Sequence, residues 1–387
     1  MNDNYKMIAK TLFGFEDLLA KELQLLGAQN VQKGLRMVSF EGDKGFMYKA
    51  NIALRTAIKI LKPIHQFKVY SQNGLYKGVS QVDWSQYFSV KETFAIDTVV
   101  HSDYFNNSQF VSLKAKDAIV DQFRNFLGSR PSIDTDAPDI RIHLHIQQDQ
   151  CSISLDTSGA SLHHRGYRTA TNIAPINEVL AAGMVLFSDW NGQCDFLDPM
   201  CGSGTILIEA AMIACNIPAN LNRKGFAFEK WKDWDADLYN TIVESLLKKV
   251  KDPYFSIKGY DKAPSAIQKS KDNIRNANLE EFITVIREDF FETEKKRPEP
   301  LHILFNPPYG ERLDIEMEGF YAKIGDTFKQ KYPNTNAWFI TANLPALKYV
   351  GLKPSKKIPL MNAGLDAVLV KYEVYEGSKR VVEVIKD

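Results

Sequence analysis

Cysteine is scarce in this sequence, and its spacing excludes two kinds of cross-link. Four cysteines occur in 387 residues, at Cys151, Cys194, Cys201 and Cys215. Because no two of them have Cys-x-x-Cys spacing, the sequence indicates neither a zinc site nor a disulfide framework. We predict reduced thiols and no bound metal.

Long apolar runs and a secretion signal are also missing. No stretch approaches the roughly 18 uninterrupted apolar residues that a membrane-spanning helix needs. The first residues, Met-Asn-Asp-Asn, lack the positive charge and the apolar core of a signal peptide. We therefore expect a cytoplasmic protein that has no membrane partner.

The sequence has no large excess of charge of either sign. Its net charge is +1; residues 1–165 contain 19 basic and 17 acidic side chains, and residues 166–387 contain 29 and 30. A protein that grips nucleic acid along its whole surface is usually more basic. Any RNA binding must therefore be local.

The first 160 residues alternate short strand and helix patterns, which predicts two small α+β units at residues 1–60 and 61–160. Helical spacing of apolar residues predicts helices at Phe15–Leu26 and Phe110–Leu127. Alternation predicts a hairpin whose first strand carries His143 and His145 on one face. We favour a solvated strand face over a metal site for this pair, because no third ligand is spaced to join it.

Strands alternate with helices in the remaining sequence, which predicts a parallel sheet covered on both faces. The predicted strands are Cys194–Asp198, Phe255–Asp261, Phe282–Ile286, Leu301–Phe305 and Ala337–Ala342. The connection Asn216–Asp252 is unusually long and rich in aromatic residues. We expect it to pack as a cap near the ligand site, and we favour a core patch as the use of most of its rings.

The stretch Asp198–Thr205 (Asp-Pro-Met-Cys-Gly-Ser-Gly-Thr) joins a predicted strand to an apolar helix. Two glycines before a helix start allow backbone N–H groups to approach a ligand. The loop has no cation, lacks the ending of a phosphate-binding loop, and has Leu207 where a dinucleotide motif needs its third glycine. A polyphosphate ligand is therefore disfavoured.

Acidic side chains follow three of the predicted strands. Carboxyl ends of parallel strands meet at one sheet edge, where ligands bind. We expect Asp198 to hold an amino-acid group and Asp261 to accept ribose hydroxyls. Asp289 would accept an adenine amine, with Phe290 stacking beside it. Three acids at one edge fit an adenosyl ligand without polyphosphate.

A second loop, Asn306-Pro307-Pro308-Tyr309, follows another apolar strand and suits a planar amine. The Asn306 oxygen and the Pro307 carbonyl would accept the amine hydrogens and aim the nitrogen lone pair at a methyl donor. Both prolines would hold the loop rigid. Tyr309 would stack on the base. This chemistry needs orientation and electrostatics, with no metal.

The segment Leu162–Arg168 (Leu-His-His-Arg-Gly-Tyr-Arg) contains cations and an aromatic residue without apolar periodicity. The residues alone leave two interpretations equally open. The segment is either a hinge that contacts phosphates or a solvated connector.

These motifs resemble those of the THUMP-domain RNA methyltransferases. The resemblance is carried by Asp198–Thr205, by Asn306-Pro-Pro-Tyr-Gly-Glu-Arg-Leu313, and by Arg165–Arg168 with Ala174-Pro175. It is strongest to the bacterial branch that methylates guanine N2 in 23S ribosomal RNA, whose members are often labelled as N6-adenine-specific DNA methylases. It spans the whole chain.

The resemblance implies an α/β, class I Rossmann-like methyltransferase domain at residues 161–387, preceded by a ferredoxin-like domain (1–60) and a THUMP domain (61–160). It implies S-adenosylmethionine as cofactor and an RNA-facing role for Arg165, Tyr167 and Arg168. Lys353, Lys356 and Lys357 could extend that path. The predicted cofactor residues are Asp198, Pro199, Cys201, Gly202, Ser203, Gly204, Thr205, Asp261, Asp289, Phe290 and Asn306.

Two features depart from the family pattern. Some relatives carry a second fused methyltransferase module, and we expect none here. Asn177 stands where several relatives have a basic residue, so a substrate or cofactor contact is not assigned to that position.

The predicted function is methyl transfer from S-adenosylmethionine to an exocyclic base amine, guanine N2 of 23S ribosomal RNA or of a ribosomal precursor. The predicted catalytic residues are Asn306, Pro307, Pro308 and Tyr309. One alternative is an adenine-N6 DNA methyltransferase, which would use the same loop. Another is a non-catalytic RNA-binding factor for ribosome assembly, which the intact Asn306–Tyr309 loop argues against.

Overall fold

A computed structural model describes residues 4–169, 175–308 and 316–376. The chain divides into two compact units, each built on a seven-stranded sheet. The first unit comprises Met1–Thr11, Leu19–Leu162 and Lys224–Ser245, and the second comprises Leu12–Leu18, His163–Arg223 and Leu246–Asp387.

The sheet of the first unit has the order β2-β3-β1-β4-β7-β6-β5. Its neighbours are antiparallel except for β5 and β6, which are parallel. The strands are β1 (Tyr5–Thr11), β2 (Gln29–Gly34), β3 (Met37–Gly42), β4 (Ala57–Lys68), β5 (Phe94–His101), β6 (Ile140–Gln147) and β7 (Gln150–Asp156). The helices are α1 (Glu16–Leu26), α2 (Lys44–Ala53), α3 (Gln72–Ser80) and α4 (Ser108–Leu127). The predicted helices and the β6–β7 hairpin are therefore present.

The long strand β4 was missed by the sequence analysis, and it contains the predicted boundary between residues 60 and 61. It pairs with β1 on one side and with β7 on the other, so both predicted N-terminal domains contribute strands to one sheet. Pro63 and His65 flank an irregularity in its register. Proline in a strand and a bulge both obscure alternation, which explains the omission. The domain boundaries remain predictions.

The long connection predicted at Asn216–Asp252 contributes aromatic rings to the first unit. Tyr48 of α2 lies 4.6 Å from the Phe228 ring and 5.3 Å from Trp234, measured between centroids. Phe226 stacks on Phe228 at 5.1 Å, and Lys62 lies over Trp231 at 5.7 Å. These rings therefore form an aromatic core patch, which is the use that the sequence analysis favoured for them.

The sheet of the second unit has the order β10-β9-β8-β11-β12-β14-β13. Its first five strands are parallel, and β14 runs antiparallel to β12 and β13. The strands are β8 (Asp195–Asp198), β9 (Ile257–Asp261), β10 (Ile283–Arg287), β11 (Leu301–Phe305), β12 (Thr335–Thr341), β13 (Lys356–Asn362) and β14 (Leu365–Val374). The remaining helices are α5 (Glu178–Phe187), α6 (Thr205–Ala214), α7 (Ala236–Leu247), α8 (Pro264–Asn276) and α9 (Met317–Lys331).

This parallel order matches that of a doubly wound sheet, as the alternation of strands and helices predicts. The chain moves outward from β8 through β9 to β10, and then returns to the other side of β8 with β11. The direction of winding therefore reverses between β8 and β11. In such sheets the ligand crevice lies beyond the carboxyl ends of the two strands at this point.

Candidate active site

The loop between β8 and α6 forms a tight turn that favours glycine. The Gly204 N–H donates to the Cys201 carbonyl at 2.8 Å, and α6 begins at the next residue. The φ of Gly204 is +80°, and a Cβ there would lie 2.4 Å from Ser270 Oγ of α8. The turn therefore places a helix N-terminus at the winding reversal, where the sequence predicted a ligand.

Two of the predicted carboxylates meet at this loop. Gly202 N–H donates to Asp261 Oδ2 at 3.0 Å, and Met200 N–H donates to Asp198 Oδ1 at 3.1 Å. Asp198 is 1% exposed, and burial, with a smaller contribution from the Asp261 charge, raises its pKa well above the usual range. In the described part of the chain neither carboxylate forms an ion pair. The described residues of the site thus form an acidic edge whose two carboxylates are not paired with a cation.

The other side chains of the loop mainly hold it in place. Cys201 and Ser203 are buried, and burial raises the pKa of the Cys201 thiol well above its usual value. Asn273 of α8 donates from Nδ2 to the Ser203 carbonyl at 2.9 Å, and Thr205 Oγ1 also accepts a hydrogen bond. Pro199 is buried. Their predicted contribution to cofactor binding remains a prediction.

Asp289 and Phe290 follow β10 and differ in their surroundings. Asp289 caps a short 3-10 helix by accepting from the Phe291 N–H at 3.0 Å. Phe290 is 1% exposed, and its ring packs against Phe305 and Tyr332 at centroid distances of 5.9 and 5.5 Å. The prediction that Phe290 stacks on an adenine is wrong, because its ring is enclosed by the core.

Asn306 lies directly after β11, the strand beside β8 at the winding reversal. Its Oδ1 is buried and accepts no hydrogen bond from the described residues. Pro307 is buried and Pro308 is half-buried. An unused acceptor is unusual in a protein interior and has a cause in most native structures. Tyr309, the motif residues up to Leu313, and Ala174 lie outside the described residues.

Arg165 and Tyr167 are buried, each with 1% of its surface exposed. Glu209 Oε1 of α6 accepts from Arg165 Nε at 3.3 Å and from the Tyr167 hydroxyl at 3.1 Å. Burial, followed by the Glu209 charge, raises the Tyr167 pKa well above its usual value. The predicted RNA-facing role is wrong for both residues, because their polar groups point at Glu209 inside the second unit.

Arg168 is also directed inward. Its Nε donates to Glu178 Oε1 at 2.7 Å, and its Nη2 donates to Thr205 Oγ1 at 2.9 Å. Asn177 caps α5 by accepting from the Val179 and Leu180 N–H groups. The departure from the family pattern at Asn177 therefore has a local structural use, and the neighbouring Glu178 is the partner of Arg168.

Sequence reasoning missed the two glutamates that neutralise these arginines. Glu209 is the single charged residue in the apolar helix Thr205–Ala214, and it is fully buried. A lone charge among residues that are apolar on every face is rarely buried without a partner. That pattern was the available signal that Glu209 has a buried partner, although it does not identify Arg165 as that partner.

The histidines of β6 lie on one face of the strand, as their spacing predicts. His143 and His145 are half-buried, and burial, followed by the charges of Lys10 and Lys59, lowers the His143 pKa to about 4. Within residues 4–169, 175–308 and 316–376, no group of three or more His, Cys, Asp or Glu could hold a metal ion. Over the same ranges, no helix is long and apolar enough to span a membrane.

Models of three protein families match consecutive parts of the chain. The ferredoxin-like domain described for RlmL matches residues 6–61, the THUMP domain matches residues 71–156, and the RMKL-like methyltransferase domain matches residues 165–371. The last match covers more than half of the 387 residues. The predicted resemblance to THUMP-domain methyltransferases is confirmed.

Two curated relatives are similar over most of this chain. "Putative RNA methyltransferase slr0064" of Synechocystis sp. is 35% identical over 94% of this chain and 95% of its own length. "Ribosomal RNA large subunit methyltransferase K/L" of Cellvibrio japonicus is 37% identical over 93% of this chain. The chain spans 50% of the length of the second protein.

Solved structures with the same architecture are also methyltransferases by name. SMU.472, solved in complex with SAH, has a TM-score of 0.87 and 28% identity, covering 98% of this chain and 100% of its own. A possible methylase from Clostridium difficile 630 has a TM-score of 0.87 and 30% identity over 97% and 100%. The fold and the family matches lead to one conclusion: the chain belongs to the RMKL-like methyltransferases, with ferredoxin-like and THUMP domains at its N-terminal side, and its cofactor is S-adenosylmethionine.

Proposed function

We propose that the protein is an RNA methyltransferase that modifies an exocyclic base amine, guanine N2 of 23S ribosomal RNA. The observation that carries this proposal is the buried Asn306 Oδ1, which has no hydrogen-bond partner in the described residues and lies at the winding reversal. The names of the Synechocystis and Cellvibrio relatives support RNA, and the second name supports large-subunit ribosomal RNA.

The described residues fit the cofactor S-adenosylmethionine. The α6 N-terminus would receive the amino-acid carboxylate, and Asp198 would face its ammonium group. Each Asp261 oxygen accepts one backbone N–H, from Gly202 or Ala263. A carboxylate offers about four acceptor sites, so Asp261 retains capacity for ribose hydroxyls. Asp289 would accept from the adenine amine.

Asn306 and Pro307 would prepare the target nitrogen. Its lone pair is delocalised into the base ring, so a free amine is a poor nucleophile. Acceptance of its two hydrogens by the Asn306 oxygen and the Pro307 carbonyl would favour a tetrahedral nitrogen and orient it. When bound, S-adenosylmethionine would supply an electrophilic methyl group on its sulfonium and would become S-adenosylhomocysteine, while the methylated amine would lose one hydrogen as a proton to solvent. The base must be unpaired or flipped to reach this loop.

A lysine-lined concavity beside α9 is the proposed path for the RNA backbone. It has a volume of about 680 Å³ and is lined by Lys348, Lys353 and Lys357, with no acid in its described lining. None of the three forms an ion pair within the described residues. The concavity begins shortly after β12, and Tyr349, which follows the lining residue Lys348, donates to Glu318 near the start of α9. Helix α9 is the next element after β11 in the described residues.

Replacement of these three lysines by glutamine tests that path. The logarithm of the RNA association constant falls linearly with the logarithm of the salt concentration. The magnitude of this slope should decrease by about 0.7 for each phosphate contact that the substitutions remove. The matched control replaces Lys248, Lys249 and Lys251, three exposed lysines of the same unit, by glutamine. Affinity for RNA is measured against salt concentration. Equal slopes for the two triple variants would assign the RNA backbone to another surface.

A second candidate function is adenine-N6 methylation of DNA. A Listeria monocytogenes protein named as a predicted N6-adenine-specific DNA methylase is 28% identical, with a TM-score of 0.85. Labelled S-adenosylmethionine incubated with ribosomal RNA or duplex DNA separates the two functions. We expect label in RNA, and mass-spectrometric mapping should then locate it on guanine N2. Label in duplex DNA alone would replace the proposal with the second candidate.

A further inference from the structure

The segment Arg165–Arg168 contacts α6 at two positions that are one turn apart. Glu209 accepts from Arg165 and Tyr167, and Thr205 accepts from Arg168. Residues i and i+4 lie on the same face of a helix, so the segment runs along one face of α6. The first residue of that face, Thr205, is also the last residue of the loop Asp198–Thr205.

The segment is itself fixed by its surroundings. Gly166 has a φ of +98°, and a Cβ there would lie 2.0 Å from the Asn222 carbonyl oxygen. Arg165 Nη1 donates to Asn220 Oδ1 at 3.0 Å. The backbone of the segment therefore passes against residues 220–222 with no room for a side chain at Gly166. These contacts fix the backbone that carries the Arg168 side chain.

Two separate paths connect this segment to the residues that flank Gly204. Arg168 Nη2 bonds Thr205 Oγ1 on one side, while its Nε is held by Glu178 of α5. On the other side, the Thr169 N–H donates to Asn273 Oδ1 at 3.2 Å, and Asn273 Nδ2 donates to the Ser203 carbonyl at 2.9 Å. The turn is thus held both before and after Gly204.

We propose that Arg168 is a positioning residue for S-adenosylmethionine. It fixes Thr205 against α5 and thereby sets the direction of the N–H groups at the start of α6. Without this contact the loop can rotate about Gly204, and cofactor affinity falls while the RNA surface is unaffected. The inference rests on the proposed function only for the identity of the cofactor.

Calorimetric titration of Arg168→Gln with S-adenosylhomocysteine tests the proposal. We expect its Kd to rise about tenfold or more, the effect of losing one hydrogen bond to a charged group. Arg275→Gln is the matched control, because Arg275 is an exposed arginine of α8 with only a surface ion pair; its Kd should stay within about twofold. If the wild-type protein itself fails to bind, the cofactor assignment fails, and the failure is distinguishable from that of Arg168.

A double-mutant cycle with Thr205→Val separates positioning from a purely structural role. If Arg168 acts through Thr205, the two losses in affinity are not additive, and the double variant binds no more weakly than Arg168→Gln alone. Additive losses would overturn the proposal. So would an Arg168→Gln protein that melts at a lower temperature but binds S-adenosylhomocysteine within about twofold of wild type.

A conservative variant keeps the test decisive if Arg168→Gln does not fold. Arg168→Lys retains the charge but has one nitrogen in place of the fork that bridges Glu178 and Thr205. We expect a folded protein with weakened binding of S-adenosylhomocysteine, and Thr205→Val alone should weaken it similarly. Wild-type affinity in both of these variants would overturn the proposal.

Discussion

The second unit contains two clusters of polar side chains, and they differ in whether each charge has a partner of opposite sign. Asp198, Asp261 and Asn306 present acceptors at the carboxyl edge of the sheet, and no cation of the described chain pairs with the two acids. Arg165 and Arg168, in contrast, each face a buried glutamate. Matched buried charges satisfy one another inside a scaffold, whereas unmatched acceptors keep hydrogen-bonding capacity for a ligand.

Breaking a matched pair gives the largest expected effect. Arg165→Met leaves Glu209 buried without its cation, and the free energy of unfolding should fall by about 3–5 kcal/mol. The double variant Arg165→Met with Glu209→Met should recover part of this loss. Arg275→Met, which removes an exposed pair, should cost under about 1 kcal/mol. Urea unfolding measures all three. If Arg165→Met lowered the affinity for RNA but not the stability, Arg165 would be assigned to RNA binding and not to a structural ion pair.

Removal of the unmatched amide should affect catalysis and leave binding intact. Asn306→Ala should lower the rate of methyl transfer by about 100- to 1000-fold, because the target amine loses a preorganised partner. Affinities for S-adenosylhomocysteine and RNA should remain near wild type. Asn343→Ala is the control, since Asn343 follows the neighbouring strand but its Oδ1 already accepts from the Ala346 N–H. Unchanged transfer in Asn306→Ala would remove this loop from the chemistry.

Asp261→Ala tests whether an unmatched acid serves the cofactor. The affinity for S-adenosylhomocysteine should fall by about 1.5–3 kcal/mol, the range for hydrogen bonds to a charged group. Asp195→Ala is the matched control: Asp195 also accepts a backbone N–H, from Ser256, but at the opposite end of β8. Calorimetric titration compares the two variants. Equal losses would mean that Asp261 only supports the sheet.

The pH dependence of stability should show that the buried Asp198 carboxylate lacks a cationic partner. Burial raises the pKa of Asp198. At pH values between the ordinary pKa of an aspartate and this raised pKa, the folded protein therefore binds more protons than the unfolded chain. Wild-type stability therefore falls as pH rises through this window. Asp198→Asn should gain stability over wild type by about 1.4 kcal/mol for each unit by which folding raises the pKa. Urea unfolding from about pH 4 to 8 measures the difference. Parallel pH profiles of stability for wild type and Asp198→Asn would indicate that interactions in the folded protein offset the cost of burying the Asp198 charge.

The positions of the two loops were predictable because local sequence determines them. Glycines between a strand and a helix predict the Asp198–Thr205 turn, and Asn306 follows an apolar run of strand length. Parallel strands bring such ends to one edge, so Asp198, Asp261 and Asn306 were expected together. The hairpin of β6 and β7 was equally clear, since polar and apolar residues alternate along β6, and its buried residues alternate in the same way.

The environments of individual side chains were less predictable. Phe290 has the sequence context of a stacking residue, but the core formed with Phe305 and Tyr332 encloses its ring. Arg165 and Tyr167 lie in a polar stretch, which is typical of a surface connector, yet both are buried on Glu209. In each case the partner is distant in the sequence, so no local pattern contains it.

The sequence by itself determined the family, the alternation of strands and helices, and the order in which acids and the Asn306 loop follow their strands. These properties depend on residue types over short windows and on the rule that parallel strands align their ends. Only the tertiary structure decided which charges are matched. Arg165 and Glu209 are separated by 44 residues, and burial turns a potential RNA contact into a support for α6. The free energy of a charge depends on its surroundings, which the chain creates only by folding.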